Sequence, residues 1–86
     1  MIEHRQIVDF LTTTLAGIFD TNSQDLDADL DFDSYGLNSS SAIIMLGELE
    51  EFIDMDLSPS VLFEHDTINK LATYIAKLVQ PLEKVN

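Results

Sequence analysis

Three groupings in this chain bring together side chains that could do chemistry. Asp25, Asp27, Asp29, Asp31 and Asp33 alternate through one stretch. Ser, His and Asp all occur, with His4 and His65 the only histidines. Gly36-Leu37-Asn38-Ser39-Ser40-Ser41 sets three hydroxyls after a glycine, immediately before a segment with helical spacing of its apolar residues.

The aspartate series resembles a calcium loop in its alternation alone. An EF-hand loop wants Asp at positions 1, 3 and 5, Gly at 6 and Glu at 12. Counted from Asp25, positions 6 and 12 are Leu30 and Gly36. Counted from Asp27 they are Phe32 and Asn38, and from Asp29 they are Ser34 and Ser40. No register fits, so no metal site is expected and the series reads as a solvated acidic loop. Nucleophilic catalysis fares no better. Gly36-Leu37-Asn38-Ser39-Ser40 is not G-x-S-x-G, and no strand precedes it to form a nucleophile elbow. His65 beside Asp66 reads as a surface histidine near a helix start. No catalytic residue is expected, and the chain is read as a non-enzyme.

Composition narrows the choice. A chain of 86 residues suits one domain, 1–86 with its core over about 6–80. Hydrophobic residues make up 45%, enough for a core. So short a chain is hard pressed to bury that core and also shape a substrate pocket, which favours a binding, carrier or adaptor domain. Four Lys+Arg face 16 Asp+Glu, a formal net charge of −12. Arg5 is the last Lys or Arg before Lys70, and every acid except Glu3 and Glu83 lies between them. Such a surface repels nucleic acid and anionic membrane. It attracts a basic protein patch, with a salt-sensitive on-rate. Cysteine is absent, which excludes disulfides and thiolate metal sites and is compatible with a reducing compartment. The apolar run Ala42–Leu46 is far short of a membrane span, and residues 1–5 lack the apolar stretch of a signal peptide. A cytoplasmic monomer is the expectation, and Met1 favours a freestanding chain.

The elements that would position these residues are helical. Ile7, Leu11, Leu15 and Ile18 share one face with Val8 beside them, which predicts an amphipathic helix over 6–19 with Asp9, Thr12 and Ala16 opposite. Residues 20–37 read as a loop, longer than the about 12–15 residues beyond which unstructured connections become uncommon. Leu26, Leu30 and Phe32 are expected to pin it to the core. Asn38 or Ser39 starts a second helix running to Ile53 or Asp54. Ala42, Leu46, Leu49 and Ile53 form its buried stripe, flanked by Ile43 and Met45. Ser40, Gly47, Glu48 and Glu51 lie opposite with Ile44 among them, a large apolar residue on a polar face. Ser58-Pro59 opens a short turn over 59–63. Asp66-Thr67 caps a last helix over 68–79, with Ile68, Leu71, Ala72, Ile75, Leu78 and Val79 inward and Lys70, Thr73 and Lys77 outward. Pro81 ends it. The fold expected is all-α: a small four-helix bundle, three longer helices plus one short, with a long loop between the first two.

Around Asp33-Ser34-Tyr35-Gly36-Leu37-Asn38-Ser39 the chain resembles an acyl carrier protein of the phosphopantetheine-binding family. That family has a G-[LIVMF]-D-S-[LIM] pattern at the start of its second helix, matched here by Gly36, Leu37 and Ser39. Gly47-Glu48-Leu49-Glu50-Glu51-Phe52 and Leu57-Ser58-Pro59-Ser60-Val61-Leu62-Phe63-Glu64-His65-Asp66-Thr67-Ile68 are similar to polyketide-synthase-type carriers. The resemblance implies that Ser39 accepts 4′-phosphopantetheine from coenzyme A, donated by a phosphopantetheinyl transferase. The terminal thiol of that arm then holds acyl groups as thioesters, so the reactive sulfur is imported. It further implies docking to an acyl-loading ligase or acyltransferase and to synthase or tailoring enzymes of polyketide- or lipid-type biosynthesis. Glu48, Glu51 and Asp54 are expected to steer such partners, with Ile44 as an apolar contact. Asn38 stands where the family usually has Asp, Ser40 where it has Leu, Ile or Met, and Asp66 where it has Pro. Asp66 should matter only for the local turn, whereas Asn38 and Ser40 support a second reading, a carrier-like structural adaptor that docks a basic partner and is never loaded.

Overall fold

The first helix exists because its apolar residues recur at helical spacing and its ends are satisfied. The computed structural model describes residues 2–79. In it α1 spans His4–Phe19. Glu3 and Gln6 exchange hydrogen bonds as a capping box that starts the helix. Asp20, in the left-handed region at φ 54°, ends it. Ile7, Leu11 and Leu15 are fully buried. Ala16, expected on the wet face, is buried as well. The chain folds back after Asp20, the Thr21 amide donates to the Ala16 carbonyl at 2.9 Å, and the following turn packs on α1.

Three further helices follow: α2 over Ser39–Ile53, α3 over Val61–Glu64 and α4 over Ile68–Leu78. Among the described residues no strand forms. The architecture is therefore all-α, three longer helices and one short. α2 and α4 both pack on α1. One core joins Ile7, Leu11 and Leu15 of α1, Met45, Leu49 and Ile53 of α2, Val61 of α3, and Ile68, Leu71 and Ile75 of α4. Each such side chain contributes about 1.5–3 kcal/mol by leaving water.

The long connection between α1 and α2 is more ordered than its polar sequence indicates. It contains two 3₁₀ turns, Ser23–Asp25 and Phe32–Tyr35. Phe32 is the buried pin. Leu26 is half-buried, and Leu30, expected to pin the loop, is 38% exposed. Backbone pairing does the rest of that work. The Phe32 amide donates to the Asp66 carbonyl at 2.9 Å and the Asn69 amide to the Ala28 carbonyl at 3.0 Å. Asn69 Nδ2 donates to Asp29 Oδ1 at 2.6 Å, and Asp31 and Thr67 form an antiparallel bridge. The Tyr35 hydroxyl donates to the Asp27 carbonyl, and desolvation holds the Tyr35 pKa above its usual value.

Helix ends account for the remaining differences. Thr67 caps α4 as expected, its Oγ1 accepting from the Lys70 amide at 3.0 Å. Leu78, expected inward, is exposed at 37%, at the very end of α4 where no further helical turn follows. The short helix begins at Val61 rather than Pro59, since Ser58 Oγ and the Ser58 carbonyl take the amides of Ser60 and Val61 first. His65 is half-buried rather than a plain surface residue, its ring stacked 4.2 Å from that of Tyr74. Pro81 lies outside the described residues.

Candidate functional site

Gly36 makes the corner that delivers Ser39. It closes the Phe32–Tyr35 turn in the left-handed region at φ 83°, where a side chain is strained. The Leu37 amide donates back to the Phe32 carbonyl at 3.2 Å, so the chain reverses onto the buried Phe32. Asn38 then adopts extended geometry and caps α2.

The cap is a reciprocal exchange between Asn38 and Ser41. Asn38 Oδ1 accepts from the Ser41 amide at 2.9 Å, and Ser41 Oγ accepts from the Asn38 amide at 3.0 Å. Ser39 is thus the first residue inside the helix and stands outside this exchange, exposed to solvent. The alternative in which Ser39 itself caps the helix is corrected by this geometry. Ser41 likewise is more than a bystander in the first turn, since the capping box depends on it. Asn38→Ala should lower stability by about 0.5–2 kcal/mol in thermal or urea unfolding.

A cleft of about 560 Å³ opens at Ser39 between α2 and the α3 segment. Its walls include Leu37, Ala42, Leu46, Pro59 and Leu62, with Asp31, Asp33 and Asp66 at polar positions. Ile43 and Phe63 also line it, yet they are 66% and 83% exposed. Two large apolar side chains therefore stand in water beside the candidate nucleophile. Helical spacing alone singles out neither. Ile43, expected beside the buried stripe, is exposed, while Met45 on the opposite flank of that stripe is fully buried and Ala42 is half-buried. The buried face of α2 is therefore turned toward the Met45 flank and away from Ile43. In α3 Val61 is buried and Leu62 is half-buried against the core, which leaves Phe63 facing outward.

The expected docking residues share a face but spread along α2. Ser40, Ile44, Glu48, Glu51 and Asp54 are all exposed, Ile44 at 55%. At 1.5 Å per residue, Glu48 stands about 13 Å and Asp54 about 22 Å along the axis from Ser39. Asp54 occupies the left-handed position that ends the helix. Among the described residues no group of three His, Asp or Glu side chains is placed to hold a metal ion. No helix there is long and apolar enough to cross a membrane.

The phosphopantetheine attachment site family matches residues 9–75, most of the described chain. The chain belongs to that family. It is a carrier protein, built to hold 4′-phosphopantetheine covalently. A phenolphthiocerol/phthiocerol polyketide synthase polypeptide of Mycobacterium tuberculosis is 43% identical over 58 residues, 67% of this carrier. The carrier spans 3% of the length of that synthase. Two solved structures superpose closely. A free-standing peptidyl carrier protein from a secondary metabolic pathway of Acinetobacter baumannii is 31% identical with a TM-score of 0.86, covering 91% of this chain and 98% of that one. An acyl carrier protein from Anabaena sp. PCC 7120 with a variant phosphopantetheinylation-site sequence is 35% identical with a TM-score of 0.85, covering 91% and 89%.

Proposed function

We propose that Ser39 Oγ is the attachment atom, and that the loaded carrier presents acyl or peptidyl thioesters to enzymes of specialised metabolism. The observation that supports this is the position of Ser39: exposed, first in α2, outside the capping exchange and at the mouth of the cleft. The residues present fit the group. A phosphodiester on Ser39 meets the free amide end of a 15-residue helix, which favours negative charge. Asn38 and Ser41 hold that end in place without using the Ser39 hydroxyl. When bound, the arm supplies a thiol that carries the acyl group as a thioester. The protein itself presents the group and catalyses nothing. Incubation with coenzyme A and a broad-specificity transferase, followed by peptide mapping, tests the assignment. An arm found on Ser40 or Ser41 instead of Ser39 would overturn it.

The partners are a phosphopantetheinyl transferase, an acyl-loading ligase or acyltransferase, and synthase or tailoring enzymes, met by a cytoplasmic monomer. Asn38 and Ser40 flank the attachment atom and face those enzymes. Glu48, Glu51 and Asp54 steer a basic docking surface, and Ile44, with Ile43 and Phe63, supplies the apolar contact within an acidic rim. Glu48→Lys with Glu51→Lys should slow loading several-fold at low ionic strength. The difference should shrink as salt rises, since the Debye length is about 8 Å at physiological strength. Stopped-flow association or initial loading rates across a salt series read this directly. An equal slowing at every salt concentration would count against steering.

A further inference from the structure

Charge is distributed over the helices as unevenly as its total. Residues Asp20 to Asp66 hold 13 of the 16 acids and no Lys or Arg. α4 inverts this pattern, with Lys70 and Lys77 and no acid within Ile68–Leu78. The two lysines are seven residues apart, hence on one face, with exposed Thr73 on the same side. Lys70 Nζ lies 3.4 Å from Asp66 Oδ1, the one ion pair among the described residues. Both groups are well exposed, so water screens the pair, and within α4 itself the only charges are the two lysines.

The fold sets this face apart from α2. α2 buries Met45, Leu46, Leu49 and Ile53, and α4 buries Ile68, Leu71, Ala72 and Ile75, in one shared core. Both helices pack on α1. Two helices that turn their apolar stripes toward the same core turn their wet faces outward in diverging directions. The acids of α2, which share a helix with Ser39, therefore look out on one side of the molecule and the lysines on another.

We propose that Lys70 and Lys77 form an orienting face, one that a basic docking surface repels so that the Ser39 end of the carrier leads. This rests on the electrostatic docking reading above. A net charge of −12 draws the carrier toward a basic partner from any direction, so attraction alone does not select the productive face. Within about one Debye length the nearest charges dominate. An approach with α4 foremost then meets like charge, and an approach with α2 foremost meets opposite charge.

The test separates orientation from total charge. Lys70→Glu with Lys77→Glu replaces two positive charges by two negative ones, taking the net charge from −12 to −16. If total charge governed association, this variant would load faster at low salt. The orienting face requires the reverse: at about 20 mM ionic strength, initial transfer from coenzyme A by a broad-specificity transferase falls at least about 3-fold, and the difference vanishes near about 0.5 M. Lys70→Gln with Lys77→Gln should show a smaller fall in the same direction. That second pair also guards against a folding defect from acids placed late in α4, and circular dichroism checks both. A wild-type rate flat in salt overturns electrostatic docking and this proposal together. A salt-sensitive wild-type rate with variants as fast or faster overturns this proposal alone.

Discussion

Ser39→Ala is expected to take up no phosphopantetheine while unfolding at nearly the wild-type temperature. On the proposed assignment the arm is attached through the Ser39 hydroxyl, and alanine removes the oxygen that would bond to phosphorus. The fold needs nothing from it, because Asn38 and Ser41 cap α2 between them. Alanine is also a good residue for a first helical turn, so stability should stay within about 0.5 kcal/mol. Ser41→Ala should show the opposite pattern. It removes the Oγ that accepts from the Asn38 amide, costs about 1 kcal/mol, and still loads. Ser40→Ala should change neither quantity by much, since Ser40 is exposed and takes no part in the cap. Intact-mass analysis gives loading and differential scanning fluorimetry gives stability. A Ser39→Ala chain that gains the mass of the arm at another serine would displace the site.

Two substitutions five residues apart in α2 should part company just as sharply. Leu49 is fully buried in the shared core, so Leu49→Ala should cost about 2–5 kcal/mol, the transfer of the side chain plus the cavity it leaves. In a domain with a total stability of about 5–15 kcal/mol this is a large fraction and should be evident in urea unfolding. Ile44 lies 55% exposed on the other side of the same helix, so Ile44→Glu should move stability by no more than about 0.5 kcal/mol. Its effect belongs to docking, where loss of an apolar centre ringed by Glu48 and Glu51 should weaken partner binding by more than about 1 kcal/mol. A large stability loss from Ile44→Glu would contradict the exposed position of that side chain. Unchanged partner kinetics would remove Ile44 from the docking surface.

Much of this architecture is local and therefore legible in the chain. The period of Ile7, Leu11 and Leu15 and the cap signals of Asn38 and Thr67 depend only on neighbours within a turn, as does the start of α2. The exposure of Ile44 followed from helical geometry, because no rotation could bury it without exposing Leu46 and Leu49. The Gly36-Leu37-Asn38-Ser39 run pointed to the family because its residues must be contiguous to place a hydroxyl at a helix start.

What the tertiary structure decided lies where distant segments meet. Ala16 is buried near the end of α1, where the turn after Asp20 packs back on that helix. The loop is held by hydrogen bonds to residues 66–69, about forty positions away, which no local pattern encodes. Ile43 and Phe63 came to stand together in water because α3, with one buried residue, leaves a cleft beside Ser39 instead of closing it. The separation of the acids of α2 from Lys70 and Lys77 has the same origin. Composition sets how much charge there is, and the shared core sets which way each helix must turn it.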